Sequence, residues 1–368
     1  MIIFKKKHLF GFISILALSF LLAACGGGGE EPEETEGDTG GEGTAEGESS
    51  IEAQTWRFVT EEVQGQVQYE YAAEFAKRMD EKSGGKITIE PYEYGGLGSE
   101  SDQVELLQNG GVEMAVMSPG FTGNMVMEGQ IFSLQFLFPD SVKKTQEILN
   151  TSEALNKDLA AKYEEKSIKP LAFWTEGGTQ WTSNKPLKTP ADFEDFLMRT
   201  QTSPLQKKSY EAYGAEPTAM SWSELYTALD RGTVEGQENP IFFIGDASFN
   251  EVQDYMTISN HNNYVAMTTV NNDWYNGLSD EVKSMIDETV TEMQDWVFKE
   301  QKKQNDKYLQ IIKEDTENPT EVIELTEEQR QAFKEKALPV RDFYREEVST
   351  VNGEILDKLE EEIKAATE

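Results

Sequence analysis

From Trp56 onward, short apolar runs of strand length alternate with stripes of period 3.6, and that alternation predicts an α/β chain with parallel sheet character. Residues 55–59 read as the first strand. The helix after it carries Ala72, Phe75, Ala76 and Met79 at i, i+3, i+4 and i+7 and stops at Ser83-Gly84-Gly85. Residues 86–90 form a second strand, a glycine turn at 95–99 leads into a helix around 104–108, and residues 112–117 form a third strand. Further strands are expected at 168–174 and 264–270. A long helix opens at Ser279-Asp280, and its apolar face, with Val282, Ile286, Val290, Met293 and Val297, runs towards Tyr308. About 30 helical residues span roughly 45 Å. Two amphipathic helices follow, separated near Leu338-Pro339.

The stretch 199–240 can be parsed almost residue by residue. Residues 196–201 make a short, mostly apolar strand whose one full charge is Arg199. A guanidinium stays protonated and is expensive to bury unpaired, so this position needs an anion. Ser203-Pro204 caps and opens a helix that ends at Gly214. Ser221-Trp222-Ser223-Glu224 has the capping-box spacing and opens a second helix, with Leu225, Ala228 and Leu229 on one face and Gly232 at its end. A strand around Val234 precedes Gly236-Gln237-Glu238-Asn239-Pro240, where Asn-Pro can cap another helix.

This segment resembles the solute-binding proteins of tripartite ATP-independent periplasmic (TRAP) transporters, the DctP-type family. The likeness rests on the strand arginine Arg199, the turn Gly214-x-x-Pro217-x-x-Met220, the helix start Ser223-Glu224 with Tyr226, Ala228 and Leu229, and the run Glu235 to Pro240. The turn Gly-Gly-Leu-Gly-Ser-Glu at 95–100 and the strand at 111–116 resemble the family's first lobe. The resemblance implies a two-lobed periplasmic-binding-protein-like fold with a ligand cleft between lobes and a long helix spanning both. It also implies that Arg199 pairs with a ligand carboxylate, Trp222 packs on the ligand and Asn239 hydrogen-bonds it. Taken without the resemblance, the same residues read as an ordinary salt bridge, a core aromatic and a helix cap. Many family members carry a second arginine before "TSN"; here that position is Gln180, which donates hydrogen bonds but no charge. Glu61, after the first strand, and Ser118, after the third, are candidate polar contacts by position only, with solvated loop residues as the alternative reading.

The ends set the compartment. Lys5-Lys6-Lys7, an apolar run at 9–22 and Leu22-Ala23-Ala24-Cys25 together have the form of a lipoprotein signal peptide, residues 1–25. Cys25 is the single cysteine, expected to be lipidated and to hold the protein on the outer face of the cell membrane. Residues 26–54, rich in Gly, Glu, Thr and Ser, read as an acidic disordered tether. The expected body divides into a first lobe, 55–176 and 265–304, and a second, 177–264 and 305–368, which also holds the C-terminal helices.

The chain carries a formal net charge of −35; without the three signal lysines and the ten acids between Glu30 and Glu52 the body still carries −28. Such a surface excludes nucleic acid as a partner and suits a protein exposed to high salt or high pH. It also repels an organic anion at long range, so affinity for one must come from local groups. Two histidines, His8 and His261, and one cysteine leave little material for a nucleophile or a metal site. His261 is expected in a polar loop between the lobes. The chain is therefore expected to be a monomeric binder without metal or cofactor, not an enzyme. Its expected ligand is a small organic acid: a sugar acid, a monocarboxylate, or a C4-dicarboxylate if a cation such as Arg57 assists. Its partner would be a TRAP permease. The alternatives are a solute-binding protein of an ATP-driven transporter or sensor system, and an extracellular carbohydrate-active lipoprotein enzyme.

Overall fold

The computed structural model describes residues 51–368. The expected signal peptide, the lipidation of Cys25 and the tether up to residue 50 lie outside the described residues. The expected tether ends earlier than residue 54: Ile51 is buried in the same apolar cluster as Trp56 and Phe58, because a branched side chain finds core to pack against there.

Two sheets organise the body. The first has the order β2-β1-β3-β10-β4, built from Gln54–Val59 (β1), Ile87–Tyr92 (β2), Met114–Met117 (β3), Ile168–Gly178 (β4) and Asn263–Asn271 (β10). β1 runs parallel to β2 and β3, whereas β10 is antiparallel to β3 and β4. The second sheet has the order β11-β9-β5-β8-β6-β7, from Gln180–Ser183 (β5), Leu197–Thr200 (β6), Glu216–Ala219 (β7), Gly236–Asn239 (β8), Tyr255–Ile258 (β9) and Glu321–Glu324 (β11). The strand expected around Val234 is thus β8, two residues later. Val234 itself is buried beside Leu225 and Leu229.

The helices follow the apolar stripes. Val67–Ser83 buries Tyr71, Ala72, Phe75 and Met79 under the first sheet and stops at Gly84, whose φ of 62° fits a residue without a Cβ. The long helix, Asp280–Glu314, has 35 residues and so runs roughly 50 Å. It buries Ile286, Met293 and Val297 against the first sheet and Ile312 in the second-lobe cluster that holds Leu225 and Phe249. One rigid element therefore belongs to both lobes.

The C-terminal helices divide, which corrects their expected place in the second lobe. Phe333 and Ala337 of Glu327–Ala337 pack with Trp181 and Phe193 of the second lobe. Beyond Pro339, Val340, Tyr344, Ile355 and Leu356 join Val59, Ile148 and Phe173 of the first lobe. The apolar stripe of Glu354–Thr367 is buried there at Ile355, Leu356 and Leu359.

The lobes are joined where β4 leaves the first sheet and β5 enters the second, and again where β9 passes into β10. At the first crossing Gly177 has φ 111°, and a Cβ there would meet Asn305 Nδ2 of the long helix at 2.8 Å. The backbone geometry that lets the strand change sheets requires glycine at this position.

Candidate ligand-binding site

Arg199 sits on β6 and is 3% exposed. Its Nε and Nη2 both donate to the carbonyl of Met220, at 3.1 and 2.8 Å, while Nη1 makes no hydrogen bond among the described residues. Burial lowers its pKa from the ordinary arginine value, opposed by Tyr264, Glu100 and Glu238, and it remains a cation. None of the nearby carboxylates pairs with it.

Each of those carboxylates is committed elsewhere. Glu238 accepts from Gln206, Tyr210 and His261; burial works against its charge, and the contacts to His261, Tyr210 and Gln206 together more than offset that and hold it below its ordinary value. Glu100 accepts from the Trp222 backbone N–H and from Ser221 Oγ, each at 3.2 Å. Glu61 Oε2 accepts the Ser118 backbone N–H at 3.0 Å. The strand charge that needed an anion has found a backbone carbonyl instead, so the ordinary salt-bridge reading of Arg199 fails among the described residues.

Two adjoining cavities meet at this guanidinium. One, of about 20 Å³, is lined among others by Glu61, Arg199, Trp222, Asn239, Phe243 and Tyr264. The other, of about 40 Å³, is lined among others by Ser118, Arg199, Gln201, Asn239, Asn263 and Tyr264. Five of the six sequence candidates are thus brought together. Trp222 packs edge-on against Phe243, with centroids 5.1 Å apart, and tilts over Phe249. Asn239 ends β8, and its Nδ2 donates to Gln237 Oε1.

The lobes touch across the cleft. Gln201 Nε2 of the second lobe donates to Tyr264 at 3.2 Å and to Ser118 Oγ at 3.4 Å, and Thr202 Oγ1 donates to the Gly120 carbonyl. Gly120 permits this approach, since a Cβ there would lie 1.8 Å from Gln201 Oε1.

Glu61 is the most unusual group at the site. It is 6% exposed, and its second oxygen, Oε1, is buried with no hydrogen-bond partner among the described residues. Burial pushes its pKa well above the carboxylate range; the Ser118 N–H opposes the shift, and Glu100 and Glu176 add to it. A donor or a cation placed at Oε1 would reverse that shift.

Several expectations are corrected. Gln180 does not reach the cavities around Arg199. Its Oε1 accepts from the backbone N–H of Ser259 and Asn260 at 2.8 and 3.1 Å, and its Nε2 donates to Gly178 O and Asn260 Oδ1 at 2.9 and 2.7 Å. With its polar capacity used, it ties the two crossings together. Gln180→Ala is expected to lower unfolding stability by about 1–3 kcal/mol, because two backbone N–H groups lose their acceptor. The order of ligand preference should be unchanged, which chemical denaturation and a ligand panel would check.

Arg57 is also elsewhere, forked onto Glu113 at 2.8 and 3.1 Å, and brings no second cation to the cleft. His261 lies, as expected, in the polar loop between β9 and β10 that joins the lobes, but its ring is fully buried and stacked on Trp181 at 4.4 Å. The expected capping box at Ser221 is absent: its side chain makes no cap bond within the helix Trp222–Asp230 and donates to Glu100. A first-lobe carboxylate therefore caps a second-lobe helix. Glu100, Gln201, Phe243 and Tyr264 were missed, although Glu100 directly follows the noted glycine turn, at the first residue of Glu100–Gln108.

A strand arginine, an aromatic wall, an asparagine and a bridged cleft between two α/β lobes agree with the family resemblance of the sequence. A profile of the bacterial extracellular solute-binding proteins of family 7, DctP, matches residues 58–347. The chain belongs to this family. It is a TRAP-type solute-binding protein, extracytoplasmic, and not an enzyme. Proteins of this kind bind small molecules and work with TRAP membrane permeases.

Among its relatives, the ectoine-binding periplasmic protein TeaA of Halomonas elongata is 33% identical over 84% of this chain and 90% of its own length. The C4-dicarboxylate-binding periplasmic protein DctP of Rhodobacter capsulatus is 34% identical over 75% of this chain and 82% of its own. Among solved structures, the periplasmic ectoine-binding protein of the TeaABC TRAP transporter of Halomonas elongata superposes with a TM-score of 0.81. It is 33% identical, and the match covers 85% of this chain and 100% of that one.

Proposed function

We propose that this chain captures a zwitterionic carboxylate, of the cyclic amidinium acid class to which ectoine belongs, and delivers it to a TRAP permease. The observation that carries the reading is the pairing, in one cavity, of the Arg199 cation without a carboxylate partner and the buried Glu61 Oε1 without a donor. The ligand carboxylate would take Arg199 and Asn239, its N–H cation would take Glu61, and Trp222 and Phe243 would cover its apolar face. Ser118 would hold Glu61 through its backbone.

The ligands named for the two relatives differ in the chemistry they demand. A C4-dicarboxylate asks for a second cation, and Arg57 is committed to Glu113. A sugar acid satisfies Arg199 but brings no cation to a pocket that holds both Glu61 and Glu100. A zwitterion meets Arg199 with its carboxylate and Glu61 with its cation, while Glu100 stays with Ser221 and Trp222. It also escapes the long-range repulsion that a body of −28 imposes on any net anion.

The chain would act as a monomer, held to the membrane through a lipid on Cys25, with Gln180 and Asn260 at the hinge between lobes. A thermal-shift panel tests the ligand class. A ligand present at 100 times its Kd adds about 2.7 kcal/mol of stability. Ectoine is expected to raise Tm, and malate and galactonate to leave it within error; a rise with malate or galactonate and none with ectoine refutes the reading.

Glu100 would act as the latch of the closed state, since it accepts from both Ser221 and Trp222 across the cleft. Glu100→Gln is expected to speed ligand release about tenfold, in line with the loss of one charge-assisted hydrogen bond. Stopped-flow tryptophan fluorescence reads this directly, and an unchanged release rate would remove the latch.

A further inference from the structure

Behind Glu61 lies a second pair of buried carboxyls, Glu62 and Glu176, 1% and 0% exposed. Glu62 follows β1 in the first lobe, and Glu176 stands at the end of β4, directly before the crossing glycine Gly177. The two side chains lie within hydrogen-bonding reach of each other. Each keeps one buried oxygen, Glu62 Oε1 and Glu176 Oε2, that no protein donor satisfies among the described residues. Two buried carboxylates in contact cannot both be ionised, but one proton between them supplies the missing donor.

Gln68 connects this pair to the ligand site. Its backbone N–H donates to Glu62 Oε2 at 2.7 Å, its Nε2 donates to Glu176 Oε1 at 2.9 Å, and its Oε1 accepts the Glu61 backbone N–H at 3.0 Å. From the long helix, Asn305 Nδ2 donates to the Glu176 carbonyl at 2.8 Å. The groups that act on the pair from the elements around it are Glu61 on its own loop, Tyr264 of β10 and the neutral Gln68 and Asn305. None of these is basic, so no neighbouring cation replaces the proton.

We infer that Glu62 and Glu176 share a proton and, through Gln68, position Glu61 towards the ligand, so that capture weakens as the pair loses that proton. The inference rests on the reading of Glu61 as the acceptor for the ligand's N–H group. Burial is the largest cause holding both carboxyls above their ordinary values; Glu176 adds to the rise of Glu62, whereas Glu62 opposes that of Glu176, so the shared proton stays with Glu62. The sign follows: a carboxyl raised in the folded state favours folding most at low pH, and that contribution is lost as pH rises. Repulsion between two buried carboxylates would then push the loop that carries Glu61 away from β4.

Two measurements on the full chain test this, each between about pH 6 and pH 9.5. Unfolding of the ligand-free protein reads the shared proton, and titration with ectoine reads the positioning. Wild type is expected to lose stability towards alkaline pH and to bind ectoine about tenfold more weakly at the upper end. Glu176→Gln places a permanent amide donor against Glu62 and should flatten both profiles; Glu62→Gln is the mirror variant if the first folds poorly. Equal alkaline slopes in wild type and variants, in either measurement, overturn the inference. Absence of ectoine binding at every pH would instead strike the zwitterion reading, and the unfolding profile would still decide whether the proton is shared.

Discussion

Arg199→Ala should weaken ectoine binding by roughly 30- to 5,000-fold, the range expected when one partner of a buried, hydrogen-bonded charge pair is removed. The ligand-free protein should melt within a few degrees of wild type. The reason is local: the side chain's hydrogen bonds all go to the Met220 carbonyl, and no carboxylate among the described residues is left without its cation when it goes. Arg199→Lys should recover little, because an ammonium cannot hold Met220 and a carboxylate in one plane. Calorimetric titration beside differential scanning calorimetry separates the outcomes. A large fall in ligand-free Tm with retained binding would make Arg199 a structural group.

Glu61→Gln should weaken ectoine about 10- to 100-fold, as expected for losing a charge-assisted hydrogen bond in a buried site. A carboxylate ligand without a cation should lose far less, or gain, because its repulsion from Glu61 disappears. The pH dependence gives a second signature. Burial raises Glu61 in the free protein, so at low pH the group is protonated and a cationic ligand must displace that proton. Affinity of wild type for ectoine should therefore rise with pH as Glu61 loses its proton, and Glu61→Gln should lack that limb. A rising limb that survives in the variant would assign it to another group.

The parts of the molecule legible in the sequence are those whose signal is local. The stripe of Ala72, Phe75 and Met79 with Gly84 after it became the helix Val67–Ser83, since periodicity and a left-handed stop act within a few turns. Arg199 stood out because it is one charge in an apolar strand, and its burial followed. Gln180 misled for the opposite reason: its partners, Ser259 and Asn260, lie about 80 residues away and appear only once β5 pairs with β9.

Glu100, Glu62 and Glu176 were illegible on similar grounds. In a chain with 68 acidic residues a carboxylate carries no signal by itself, and what distinguishes these is burial against distant neighbours. The split of the C-terminal helices, too, was decided by surfaces left open elsewhere. Val340 and Leu356 pack in a cluster with Val59, Ile148, Phe173 and Met267, residues far apart in the sequence.

A cleft that offers Arg199 to a carboxylate and Glu61 to a cation should select a small molecule that carries both. Isothermal titration of the purified chain near neutral pH, with ectoine and with malate, tests it most directly. Saturable ectoine binding is expected, at least about tenfold tighter than malate, as one charge-assisted contact to Glu61 would give. Tight malate binding with no heat from ectoine would contradict it.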